Sequence, residues 1–127
     1  APGSSCWLQH KMITAVDAST GAVVAFCEVA MLSRPSESDE QAYAPTIMNL
    51  VTSPMYRRQG IATRLMQSAS RFVRQEWDYG ELSVYVEVEN EAAIALYQTM
   101  GYGQVHQVER DSSFQLYMAK HFVPSYA

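Results

Sequence analysis

The alternation of apolar and polar positions divides the chain into stretches of two different periods. Trp7 to Val16 is strand-like, Asp17-Ala18-Ser19-Thr20-Gly21 supplies turn residues, and Ala22 to Leu32 is again apolar and rich in β-formers, which predicts a hairpin. Ser33 to Ala44 is polar, holds Pro35 and reads as an exposed loop. Thr46 to Thr52 predicts a third strand, which Pro54 closes because proline cannot donate a ladder hydrogen bond. At Ile61 the period changes. Ile61, Leu65, Met66, Ala69, Phe72, Val73 and Trp77 recur at helical spacing, Arg64, Gln67, Arg71 and Arg74 fall mainly on the other side, and Tyr79-Gly80 ends the helix. Leu82, Val84, Val86 and Val88 then alternate with Ser83, Tyr85, Glu87 and Glu89 as a strand with two unlike faces. Asn90 offers an N-cap to a second helix from Glu91, which carries Ala93, Ile94 and Tyr97 and stops at Met100-Gly101, where glycine can turn left-handed. Tyr102 to Glu109 and Phe114 to His121 are two further strand candidates around Arg110-Asp111-Ser112-Ser113. The order is β-β-β-α-β-α-β-β, a mixed α+β chain.

Composition narrows this picture. With 127 residues, 48% of them hydrophobic, the chain has room for one core, so residues 6–123 are expected to form a single domain. Ala1-Pro2-Gly3-Ser4-Ser5 reads as a disordered, processed or fragment end. No apolar run approaches the roughly 20 residues of a membrane-spanning helix, and no basic-then-apolar leader is present; the expected setting is soluble and cytoplasmic, with no membrane partner. Nine basic against 13 acidic residues leave a net charge of −4, which disfavours nucleic acid and makes any phosphate site a local one. Acids gather at Glu37-Ser38-Asp39-Glu40 and at Glu87, Glu89 and Glu91, which would favour a cationic partner. Cys6 and Cys27 have no zinc spacing and read as packed, reduced thiols, and His10, His106 and His121 form no metal spacing either, so no metal is expected.

The candidate chemistry starts at the third strand. Between Thr52 and Gly60 the chain must turn into a helix whose first N–H groups lack intrahelical partners, and with the helix dipole these make an anion site. Gly60 lets the backbone approach a phosphate, Ala62 and Thr63 are small, and Arg57 and Arg58 add positive charge. Neither a Walker loop nor a dinucleotide fingerprint is present, because the required Gly-Lys-Ser/Thr and three-glycine spacings are missing.

The run Leu50-Val51-Thr52-Ser53-Pro54-Met55-Tyr56-Arg57-Arg58-Gln59-Gly60-Ile61-Ala62-Thr63-Arg64-Leu65 resembles motif A of the GNAT superfamily of acyl-CoA N-acyltransferases, with the core Q/R-x-x-G-x-G/A. Val88-Glu89-Asn90-Glu91-Ala92-Ala93-Ile94-Ala95-Leu96-Tyr97-Gln98-Thr99-Met100-Gly101-Tyr102 resembles its motif B, N-x-x-A-x-x-x-Y-x-x-x-G-F/Y. The resemblance implies a mostly antiparallel mixed sheet flanked by helices, and acetyl-CoA as cosubstrate. By the same resemblance Leu50, Val51 and Thr52 hold the pantetheine arm, Arg58, Gln59, Gly60, Ile61, Ala62 and Thr63 hold the pyrophosphate, and Asn90 contacts the cofactor as well as capping its helix. Tyr97 matches the tyrosine that returns a proton to the departing thiolate, and a backbone N–H such as that of Val51 would hold the oxyanion.

The implied reaction is direct attack of a primary amine, borne by a small molecule, a peptide or a protein, on the acetyl carbonyl. No general base stands out. Thr46 and Met48 occupy positions where some relatives carry one, but neither side chain can serve, and Tyr85, Glu87 and Glu28 are candidates by neighbourhood only. The family fold begins with a strand and two helices that this chain is expected to lack, which keeps open a non-catalytic acyl-CoA-binding module working with a partner. An exposed strand edge would favour a homodimer.

Overall fold

The computed structural model describes residues 9–35 and 42–122. Cys6, the start of the first expected strand at Trp7, the acidic run from Glu37 to Glu40 and the chain ends lie outside the described residues. The elements are β1 (His10–Val16), β2 (Val23–Ser33), β3 (Tyr43–Thr52), α1 (Ile61–Gln75), β4 (Glu81–Glu87), α2 (Glu91–Thr99), β5 (Gly103–Arg110) and β6 (Ser113–His121), with one 3-10 turn at Pro54–Tyr56. This is the order read from the periodicity.

Two boundaries moved for physical reasons. β3 begins at Tyr43 inside the stretch read as a loop, because Tyr43, Ala44 and Pro45 pair with Ser33, Leu32 and Met31 of β2. Polar composition nearby did not reveal a partner strand. β4 stops at Glu87, since the Asn90 N–H bonds the Glu87 carbonyl at 3.0 Å and turns the chain so that Asn90 can cap α2.

The six strands form one sheet in the order β1-β2-β3-β4-β6-β5. All neighbours are antiparallel except β3 and β4, which α1 connects as the crossover that parallel strands require. Leu65, Met66, Ala69 and Val73 of α1 pack onto Cys27, Val29, Ile47, Leu82, Val84 and Met118, and Tyr97 of α2 joins the same core. Both helices therefore cover one face. Met66, Val73, Leu82 and Met118 are completely buried, each worth about 1.5–3 kcal/mol of transfer free energy. On the other face Ser83 Oγ and Tyr117 OH share a buried hydrogen bond of 2.7 Å, and no helix covers that face among the described residues. No helix among the described residues is long and apolar enough to cross a membrane.

Candidate active site

The site grows out of a break in the sheet. β3 and β4 share only the rungs Thr46–Ser83 and Ile47–Val84, although β3 continues to Thr52 and β4 to Glu87. β2 stays paired with β3 as far as Ala25–Thr52, and β6 stays with β4 as far as Glu87–Gln115. Each half of the sheet is thus tied to its outer neighbour while the middle opens. A bulge accompanies the opening: Phe26 faces Val51 and Glu28 faces Met48, so Asn49 and Leu50 together oppose Cys27. Asn49 takes φ 52°, a left-handed conformation that Asn tolerates better than most residues.

The opening is a cleft of about 210 Å³ whose lining includes Asn49, Leu50, Tyr85, Glu87, Asn90 and Tyr97. Beyond Ile47 the side of β3 that faces β4 has no ladder partner, which leaves the β3 peptide groups that point away from β2 open to an extended ligand. Tyr97 is only 7% exposed and its ring tilts against Tyr102 at 6.1 Å between centroids. Burial raises its pKa, with the neighbouring Cys27 adding to the effect, so the phenol is protonated at neutral pH. Cys27 is fully buried and its thiol is pushed up to about 11 by desolvation and then by the charge of Glu28, which rules it out as a ready thiolate nucleophile.

Next to this cleft lies a cavity of about 240 Å³ lined by Thr52, Arg57, Arg58, Gly60, Ala62 and Thr63, with Ile61 also on its wall. Gly60 is the N-cap of α1 at φ 75°, and no side chain caps the helix. The Arg64 N–H makes the first helical bond, to the Gly60 carbonyl at 3.1 Å, so the N–H groups of Ile61, Ala62 and Thr63 have no intrahelical acceptor. A Cβ on Gly60 would meet nothing within 4 Å, so glycine is required there by its φ. Arg58 is also left-handed, at φ 64°, and Arg57 Nε reaches back to the Thr52 carbonyl at 3.4 Å.

The turn is fastened at its other end by contacts that local sequence did not announce. The Ser53 N–H bonds the Val24 carbonyl at 2.8 Å, and Tyr56 OH donates to Asp17 Oδ2 at 2.8 Å, across from the hairpin tip. Asp17 Oδ1 accepts the Ser19 N–H at 2.8 Å and the Ser19 hydroxyl at 2.6 Å. These bonds, that from the Ser19 side chain first and that from Tyr56 next, hold the Asp17 carboxyl down at about 2.

The structure thus brings Leu50, Asn90 and Tyr97 into one cleft and Thr52, Arg58, Gly60, Ile61, Ala62 and Thr63 into the adjoining cavity. Asn90 Oδ1 accepts the Ala93 N–H at 3.1 Å and so caps α2. Two residues stand apart. Gln59 lines a separate groove of about 450 Å³ between β1, Tyr56 and Arg64, and Val51 is half exposed, its side chain lining neither space. Thr46 is buried with its hydroxyl on the Ala44 carbonyl at 3.0 Å, and of the neighbourhood candidates for the base, Glu87 accepts from Ser113 and Gln115, each at 3.2 Å. Among the described residues no three His, Cys, Asp or Glu side chains converge as a metal site.

A sheet split between its two parallel central strands, with an uncapped helix start beside the split, suits an extended ligand that carries an anionic group at one end. Residues 4–102 match the Acetyltransferase (GNAT) family. The chain belongs to that family. Over 59 residues it is 30% identical to an N-alpha-acetyltransferase of Saccharolobus solfataricus, a match covering 46% of this chain and 35% of that curated relative's length. A putative GNAT-family acetyltransferase of Bordetella pertussis has the same fold, with a TM-score of 0.71 at 13% identity over 92% of this chain and 70% of that one. The NatC complex bound to Gag peptide and CoA contains a chain of this fold too, at TM-score 0.68 and 23% identity over 88% of this chain and 71% of that one.

Proposed function

We propose that this chain is an acetyl-CoA-dependent N-acetyltransferase that passes the acetyl group directly to a primary amine. The observation that carries the reading is the opening of β3 from β4 beyond the Ile47–Val84 rung, with Tyr97 on its wall and the uncapped start of α1 alongside. Peptide groups on the open side of β3 between Leu50 and Thr52 extend the sheet onto the pantetheine amides, and a backbone N–H on that side holds the oxyanion. The turn through Arg58, Gln59, Gly60, Ile61, Ala62 and Thr63 binds the pyrophosphate by orphan N–H groups and the helix dipole, with Arg58 adding its charge. The amide nitrogen of Asn90 is free to meet the cofactor while its oxygen caps α2.

The chemistry follows from these placements. The amine nitrogen forms the new bond to the acetyl carbon, the carbon–sulfur bond breaks, and Tyr97 relays a proton to the thiolate. Burial keeps that phenol neutral and able to donate. The absence of a ready Cys27 thiolate agrees with transfer that needs no acyl-enzyme. The N-alpha-acetyltransferase relative supports a peptide α-amine among the acceptors, alongside lysine and small-molecule amines. Two measurements test the reading: calorimetry with CoA, and release of free thiol from acetyl-CoA across a panel of peptide, lysine and small-molecule amines. Saturable binding with acceptor-dependent thiol release is expected. Binding without turnover on any amine would leave a CoA-binding module instead.

A further inference from the structure

Three strands place one polar side chain each at a single point on the uncovered face of the sheet. Glu28 of β2 stands between His10, whose Nε2 lies 3.4 Å from Glu28 Oε2, and Asn49 of β3, whose Nδ2 donates to the same oxygen at 3.3 Å. The contact with Asn49 depends on the bulge, because the left-handed Asn49 is the residue that both lines the cleft and reaches Glu28. The Glu28 side chain is 19% exposed, partly withdrawn from water yet still reachable by it.

The strand register sets this carboxylate beside the opening. Glu28 pairs with Met48, the first β3 residue past the last rung to β4, and Tyr85 is the first β4 residue past that rung. Neighbouring strands lie about 4.8 Å apart, so Glu28 is one strand away from the edge of the gap. Tyr97 lies on the helix-covered side of the sheet and Glu28 on the other, which puts the donor's sulfur and the acceptor's nitrogen on opposite sides of one gap. The other charges near the gap are Arg110, 4.2 Å above the Tyr85 ring, and Glu87 farther along β4. Glu87 is exposed and already accepts from Ser113 and Gln115.

We propose that Glu28 is the general base that takes the proton from the acceptor ammonium, and that His10 and Asn49 are positioning residues which aim its carboxylate at the gap. The proposal rests on the acetyltransferase reading above and adds the group that reading lacks. One ammonium proton passes to the Glu28 carboxylate and on to solvent. The neutral nitrogen then attacks, and its second surplus proton reaches the leaving sulfur by way of Tyr97. Atoms and charge balance with amide, thiol and one released proton.

The test begins with wild-type thiol release on a responsive amine, and a protein inactive on every amine overturns both the acetyltransferase reading and this one. With an active protein, Glu28→Gln is expected to lower kcat/KM about 10²-fold at neutral pH. That loss should shrink steadily as pH rises toward the pKa of the amine, and it should shrink with an acceptor already unprotonated at the assay pH. CoA affinity and Tm should stay at wild-type values. Glu28→Asp keeps the acid but draws it back, so it should lower kcat and still recover with pH less steeply than Gln. His10→Gln should lower kcat a few-fold while the KM for acetyl-CoA and Tm stay at wild-type values. A Glu28→Gln loss that is the same at every pH and for every amine overturns the proposal, as does that pH signature appearing in Glu87→Gln instead.

Discussion

Burial raises the Tyr97 phenol and the Cys27 thiol together and so keeps both protonated at neutral pH, yet only the phenol lines the cleft. Removing that hydroxyl tests its role without disturbing the ring that packs on Tyr102. Tyr97→Phe is expected to lower kcat about 10²-fold with CoA affinity unchanged, measured by thiol release and calorimetry; equal turnover in both proteins would take Tyr97 out of the chemistry. Asp17 gives a second prediction at this scale. Its folded pKa of about 2 lies below the ordinary 3.8, so its stabilising contribution is present above pH 4 and is lost as pH falls toward 2. Tyr56, raised chiefly by its hydrogen bond to Asp17, works at the other end, its share being present below its ordinary pKa of 10 and lost as the pH climbs through the raised value. Denaturant midpoints between pH 2 and 5 should show a shallower acid slope in Asp17→Asn than in wild type. The Tyr97 position was legible as part of an N-x-x-A-x-x-x-Y spacing along one helix. The Asp17–Tyr56 bond was not, since it joins residues 39 apart whose neighbourhoods carry no shared pattern.

The start of α2 shows how one side chain serves a helix and a site at once. Asn90 caps the helix through its oxygen, and a cap of this kind is worth about 1 kcal/mol. Asn90→Ala should therefore lower Tm by about 4 °C. Asn90→Ser retains a capping oxygen, so its Tm should remain near wild type; a drop in CoA affinity in the serine protein would isolate the contact made by the amide nitrogen. Helix positions were readable because burial of one face imposes a local period, and the break at Gly60 was readable because a turn leaves glycine and proline in the chain. The bulge at Asn49 and the early start of β3 were not readable, because both depend on which residue of β2 lies opposite.

At the scale of the molecule the sheet has two unlike faces, one carrying both helices and the core, the other carrying polar groups that meet only through pairing. Met66 sits at the centre of the covered side, completely buried. Met66→Ala is expected to destabilise by about 2–5 kcal/mol, seen as a lower urea midpoint with the slope unchanged. A shift of less than that range would mean that α1 collapses onto the vacated space. The sequence by itself determined the element order, the helical face that packs on the sheet and the two motifs that resemble the GNAT family, because each is written in spacings of a few residues that follow the pleat or the helical turn. Only the tertiary structure decided that β3 and β4 part after two rungs, that Gln59 turns away from the cavity its neighbours line, and that His10, Glu28 and Asn49 meet. Those outcomes are set by the register of strands distant in the chain, and no local period records a register.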